Sequence, residues 1–350
     1  MSSGLTEQVN QRVLRDLTDG VMVLSEDGQI SYLNQAARQI LGLTTEDPVD
    51  QSFASWFIGE PDNDDFVEVV VQAITDKTST HRAQVAYRPP AADQLKQLAL
   101  SSSFVYDEAG QQQGISIVIS DITPLADLER RRREGNWVFT GGMCVTAAYL
   151  IIWQLLAAFM VVPNWLMARV MELLAIGLAV FTLTKTSMTF TDVGLKAPPG
   201  RLRGTLLRGV SIGLGVIAVL AAARIVIDTV DPALTSGLPF FSFYWNEIWQ
   251  ITYFVVAPLQ EFLAKGIVLV ALLRIYATET RELHFLPIMV SSLVFAALHA
   301  NYGIGMMAGA FSLCFATGWL YLKDRNIWGC AIIHFCLGFF ATCFGLRAII

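Results

Sequence analysis

The sequence predicts two domains in two solvents: an antiparallel α+β domain in water, then an all-α polytopic membrane bundle of about seven spans. Three observations carry this. Mean hydropathy is +0.50 and 54% of the residues are hydrophobic, beyond what an ordinary soluble chain carries. The apolarity is uneven: residues 1–136 hold most of the acidic and amide side chains, whereas 137–350 is a succession of long apolar stretches. The first of these regions alternates short apolar runs with Asp-Gly turns, the pattern of half-buried strands. A net charge of −6 argues against a general nucleic-acid surface. All five cysteines lie in the apolar region, so no disulfide framework is implied. The first residues lack a basic stretch followed by an apolar one, and no cleavable signal peptide is expected.

In the soluble region, Val21–Leu24 and Ile30–Leu33 flank an Asp27-Gly28 turn, a hairpin whose glycine tolerates positive φ. Asn34 then caps a helix through Ala36, Ala37, Ile40 and Leu41, which Gly42 ends. Phe66–Ile74 has a helical apolar rhythm. Thr80–Tyr87, Leu95–Tyr106 and Gly114–Ser120 predict three more strands, with a turn at Asp107–Gly110. This order, the hairpin, the Asn34-x-x-Ala37 to Leu41-Gly42 helix and the closing Asp121-Ile122-Thr123 resemble a PAS domain over residues 10–125. The resemblance implies that Asp121 and Thr123 relay a signal from the last strand into an outgoing helix, here a basic connector at 126–136. A flavin site of the usual light-sensing type needs a cysteine, which this domain lacks, and its lone His81 reads as a surface or packing residue. No cofactor is assigned, the PAS ligand is unknown, and a homodimer through the PAS domain and connector is expected.

Apolar windows near the ~20 residues that cross a bilayer occur at 137–162, 165–184, 205–227, 245–273, 285–300, 304–322 and 327–348. Basic residues recur at alternate ends: Arg130–Arg133; Lys185, Lys196, Arg201 and Arg203; Arg274 and Arg281; Lys323 and Arg325. The intervening segment 228–238 carries Asp228 and Asp231 with no lysine or arginine. The positive-inside rule then puts the PAS domain in the cytoplasm, the bundle in the cell (inner) membrane and the carboxyl terminus outside. Arg169 and Glu172, and Arg224 and Asp228, are spaced as intrahelical pairs that lower insertion cost.

Polar residues within apolar spans mark either a site or a pair, because a charge at bilayer depth costs about 2.5–3.5 kcal/mol or more. Taken alone, Glu261 and Lys265 make an i,i+4 salt bridge, His299 and His334 are helix-packing residues, and Cys330 with His334 offers only two metal ligands. Their ensemble says more. Gln260-Glu261-x-x-x-Lys265-Gly266, Phe295-x-x-x-His299 and His334-x-x-x-Gly338, with Asn326-Ile-Trp-Gly before His334 and the Thr191-Asp192-Val-Gly194 loop, resemble the CPBP family (CAAX proteases and bacteriocin-processing enzymes) over 137–350. That family's pattern is Glu-Glu-x-x-x-Arg, Phe-x-x-x-His and His-x-x-x-Asn.

The resemblance implies an intramembrane endopeptidase in which the first glutamate and the second-motif histidine activate a water, and the third-motif histidine and asparagine stabilise the oxyanion. Those roles fall on Gln260, His299, His334 and Gly338. Gln260 is no carboxylate base, Gly338 has no amide donor, and Lys265 keeps the arginine's charge without its planar fork. The catalytic candidates are therefore Glu261, His299 and His334, with Asn301 as a substitute amide and no metal. Glu261 lies about 100° around the helix from Gln260, and needs a rotated or unwound turn near Pro258 to reach the same cavity. Two functions follow from one fold: a PAS-regulated endopeptidase cleaving a membrane protein or peptide, or a catalytically impaired relative that uses the cavity to bind a membrane partner. A plainer third is a PAS-bearing receptor whose polar residues only hold helices together.

Overall fold

The computed structural model describes residues 12–43, 48–59, 61–76, 79–90, 92, 94–243, 248–276 and 281–346. They form two compact units, Met1–Glu129 and Arg130–Ile350. In the first, strands β1 (Gly20–Ser25), β2 (Ile30–Leu33), β3 (Arg82–Tyr87), β4 (Lys96–Tyr106) and β5 (Gln112–Asp121) make one antiparallel sheet in the order β2-β1-β5-β4-β3. Gly28 closes the β1–β2 hairpin at φ +74°. Asn34 caps helix α1 (Gln35–Leu41) by accepting from the Ala37 N–H at 2.8 Å, and it also accepts from the Val21 N–H on β1. Gly42 ends that helix in the left-handed region.

Helix α2 (Phe53–Phe57) has no counterpart among the sequence-predicted elements, since five residues are too few to show a helical period. Its Phe53 and Phe57 stack at 4.7 Å and, with Phe66 of helix α3 (Asp64–Thr75) and Tyr87, fill the core beneath the sheet. His81 lies just before β3 rather than on it, 3.2 Å from an Asp76 carboxylate oxygen.

Helix α4 (Thr123–Ala157) runs unbroken for 35 residues, so the connector and the first predicted span are one element; no proline interrupts it after Pro124. The second unit continues with α5 (Asn164–Lys185), α6 (Leu202–Val230), α7 (Ile248–Glu261), a π-helical stretch Phe262–Leu269, α8 (Val270–Tyr276), α9 (Phe285–Ala297), α10 (Ile304–Asp324) and α11 (Trp328–Cys343). Five described helices are long and apolar enough to cross a membrane: Thr123–Ala157, Trp165–Lys185, Leu202–Val230, Thr252–Tyr276 and Ile304–Asp324. The other two sequence-predicted spans are the shorter apolar helices Phe285–Ala297 and Trp328–Cys343; residues 245–247 and 347–348 at predicted span edges lie outside the described residues.

Burial ranks these helices. The most apolar window of Thr252–Tyr276 is 72% buried, against 11% for Leu202–Val230, so the former is the central rod and the latter a lipid-facing one. The α6–α11 seam is built on glycine. A Cβ at Gly209 would lie 2.9 Å from the Gly329 Cα, and one at Gly213 would lie 2.8 Å from Cys336 Sγ. Between α5 and α6 the Thr191–Leu195 loop is pinned at both ends. Asp192 Oδ2 accepts from the Thr189 N–H, the Gly194 carbonyl accepts from Ile327 N–H, and the Leu195 carbonyl accepts from the Trp328 indole.

Candidate active site

The site grows from the central rod. Pro258 lies inside α7, where it has no N–H to give to the helical ladder, and the π-helical stretch begins four residues later at Phe262. The rotation that Glu261 would need to face the cavity does not occur. Gln260 lines a cavity of about 460 Å³, while Glu261 is absent from its lining and fully buried. The two neighbours point apart as 3.6 residues per turn requires.

Glu261 nevertheless reaches the cavity through a neighbour. Its Oε1 is 2.9 Å from His334 Nδ1, and its Oε2 is 2.7 Å from the Lys265 ammonium. Lys265 is also fully buried, 3.3 Å from Cys314 Sγ, with its ammonium 5.6 Å above the Phe295 ring. A carboxylate only accepts hydrogen bonds, so in the neutral imidazole His334 Nδ1 carries the proton and Nε2 is the basic nitrogen. His299 has the same tautomer for the same reason: its Nδ1 lies 2.8 Å from the Phe295 carbonyl oxygen, one turn earlier. Both imidazoles line the cavity, and both neighbour the Phe295 ring, whose centroid is 4.7 Å from that of His299 and 5.8 Å from that of His334.

The structure thus brings Gln260, His299, His334 and Gly338 to one cavity and sets Glu261 and Lys265 behind it. Asn301 is not among the lining residues; its Oδ1 accepts from the Tyr149 hydroxyl at 2.6 Å. Cys330 donates to the Thr317 carbonyl at 3.3 Å rather than sharing a ligand with His334. Tyr253, Arg169 and Glu172 are among the lining residues that sequence reasoning did not bring to the site. Tyr253 sits seven residues before Gln260 on the same helical face, a spacing that would have revealed it. Arg169 and Glu172 form their expected pair at 2.7 Å, but they also line the cavity, and Glu172 Oε1 is buried with no hydrogen-bond partner. Nothing in an i,i+3 spacing on one helix shows which cavity that helix will meet.

In the first unit, Asp121 Oδ1 accepts from the Thr123 N–H at 3.1 Å, and Thr123 Oγ1 accepts from the Gln97 N–H at 2.9 Å. Both bonds sit where β5 gives way to α4.

Comparison with known proteins agrees with these two regions. A family model described as PAS fold matches residues 10–122. A second, described as type II CAAX prenyl endopeptidase Rce1-like, matches residues 243–340, which hold all three motifs. The chain is a fusion of a PAS domain and a Rce1-like domain. With its five membrane-length helices, this PAS–Rce1-like chain is an integral membrane protein. The signal transduction histidine-protein kinase AtoS of Escherichia coli (strain K12) is 23% identical over 137 residues, which are 39% of this chain and 22% of the kinase. The chain therefore spans less than a quarter of that relative's length. Among solved structures, the PAS domain of a Colwellia psychrerythraea protein is 15% identical, covering 34% of this chain and 98% of its own, with a TM-score of 0.29. The PAS domain of Bordetella pertussis BvgS is 15% identical, covering 36% of this chain and 92% of its own, with a TM-score of 0.30.

Proposed function

We propose that this chain is a PAS-regulated intramembrane endopeptidase that hydrolyses a membrane protein or peptide with a water held by His299 and His334. The observation that carries the reading is the Glu261–His334 contact of 2.9 Å, made behind a cavity that His299 also lines. A buried carboxylate on Nδ1 fixes the tautomer and ring orientation of His334 and stabilises the imidazolium that forms when Nε2 takes a proton. Glu261 is thus a positioning residue, and its loss of direct access to the cavity is compensated through the imidazole. Water gives its proton to one Nε2 as its oxygen adds to the scissile carbonyl. The same proton passes to the leaving amine when the C–N bond breaks. Such general-base assistance is worth about 10²–10⁴-fold.

A second reading has its own support. The polar group on the cavity at the first motif is the Gln260 amide, and Gly338 brings no side chain of its own, which suits a cavity that binds a membrane segment without cleaving it. The two are separated with the full chain in lipid vesicles and a membrane-peptide library read by mass spectrometry. Cleavage by the chain as it stands, abolished in Glu261→Ala/His299→Ala, supports the endopeptidase. Cleavage only after Gln260→Glu would support the partner-binding relative.

Alternating positive charge supports a cytoplasmic PAS domain and an outer carboxyl terminus, with seven crossings if both short helices cross. Within the second unit, a path for regulation starts on α4. Glu134 Oε2 meets Arg274 Nη1 at 2.9 Å and the Ser187 hydroxyl at 2.7 Å; Arg274 Nη2 lies 3.6 Å from Asp192. The next residue, Val193, presses its carbonyl on Gly266, beside Lys265. Asp121 and Thr123 would pass the PAS signal into α4, and this path would carry it to the helix that bears Glu261. A homodimer through the PAS domain and connector completes the proposal.

A further inference from the structure

We infer that Tyr253 is a further catalytic residue, whose hydroxyl, set in the space that Gly338 leaves open beside His334, donates to the substrate carbonyl oxygen as charge develops there. The inference rests on the endopeptidase reading and adds a residue to it.

Gly338 sits inside α11, four residues after His334 and on the same face. Glycine in a helix interior is disfavoured by about 0.5–1 kcal/mol relative to alanine, so its presence needs a reason. The reason is steric: a Cβ at 338 would lie 2.0 Å from the Tyr253 hydroxyl oxygen and 2.7 Å from Cζ. No residue with a side chain fits while the tyrosine stays where it is. The hydroxyl thus occupies the place from which a residue-338 side chain would start.

That place faces the chemistry. Tyr253, Gln260, His334 and Gly338 line one cavity, and the tyrosine and His334 rings meet edge to face with centroids 6.0 Å apart and planes at 79°. Tyr253 and Gln260 are two turns apart on one face of α7, so a phenol and an amide come to the cavity from the same helix. A phenol both donates and accepts, and a donor held in place on a largely apolar cavity wall is worth more than one in solvent. As water adds, the carbonyl π pair moves onto oxygen and the Tyr253 O–H bonds to it without giving up its proton. When the C–N bond breaks, the pair returns to re-form the carbonyl and the hydroxyl is released unchanged.

The test uses the full chain in lipid vesicles and one membrane peptide that the unmodified chain cleaves. Tyr253→Phe keeps the ring and removes the donor. It is expected to lower kcat about 10²-fold with KM nearly unchanged, the signature of a contact made only in the transition state. Tyr253→Ala is expected to lose as much, and Tyr253→Ala/Gly338→Asn to recover at least about tenfold over Tyr253→Ala, because the amide then takes the place the phenol vacated. A purely packing tyrosine would leave kcat of Tyr253→Phe within about twofold of the unmodified chain, and that result would overturn the inference while sparing the endopeptidase reading. A chain that cleaves no peptide in the library, with or without Tyr253→Phe, would overturn both.

Discussion

Glu261 accepts from His334 and pairs with Lys265, and the two charged groups are fully buried. Breaking such a buried pair from one side leaves a charge without its counter-charge and costs about 3–5 kcal/mol. Lys265→Met is therefore expected to lower the thermal midpoint markedly, and Lys265→Met/Glu261→Gln to recover much of the loss. A double variant no more stable than the single would show that the two residues do not act as a pair. At the other end of the chain, burial pushes the Asp121 carboxyl up, but hydrogen bonds from Thr123 and the charge of Lys96, 3.4 Å away, outweigh it and hold it below its ordinary 3.8. A group with a depressed folded-state value stabilises above its unfolded-state value, and that contribution is lost as pH falls through the folded-state value. The stability gap between the unmodified chain and Asp121→Asn should be open at about pH 6 and close progressively below about pH 4. A gap of constant size across that range would remove Asp121 as the titrating group. At this scale the sequence displayed the i,i+4 spacing of Glu261 and Lys265. The His334 partner, 73 residues away, could not be read from it.

The central rod and the Thr191–Leu195 loop belong together at the level of elements. Gly266 lies in the π-helical stretch, and a Cβ there would sit 2.4 Å from the Val193 carbonyl oxygen, a backbone atom that cannot swing aside. Gly266→Ala is expected to cost about 1–3 kcal/mol by forcing loop and rod apart. Urea titration of the detergent-solubilised chain measures it; an unchanged midpoint would mean the loop yields freely. The sequence marked both Gly266 and the loop as parts of one family pattern, and the structure supplies the contact that makes them one unit. The π-helical geometry itself was hidden, because periodicity shows that a segment is helical without showing which carbonyl each N–H will choose.

For the whole molecule, α4 is the element that continues from the last strand of the PAS domain into the membrane bundle. If Glu134 and Arg274 carry regulation, deleting residues 1–122 should change the cleavage rate of the intact chain, and the change should shrink in Glu134→Gln. Equal sensitivity to the deletion in both backgrounds would rule out that ion pair as the route. The pair is only partly exposed, so its loss should affect stability by no more than about 1–3 kcal/mol, and coupling can be read apart from folding.

The sequence by itself determined the two domains, the strand order's components, the Asn34 and Gly42 helix boundaries, and the three polar motifs. Each of these rests on near neighbours in the chain: turn glycines, caps, and apolar runs of span length. Tertiary structure alone decided that Gln260 faces the cavity while Glu261 is buried behind it, 2.9 Å from His334. It alone set Tyr253 where residue 338 has no side chain, and brought Arg169 and Glu172 to the same cavity. Those outcomes depend on how helices far apart in sequence rotate against one another in packing. Local spacing fixes the face a residue occupies on its own helix, but not what that face will meet.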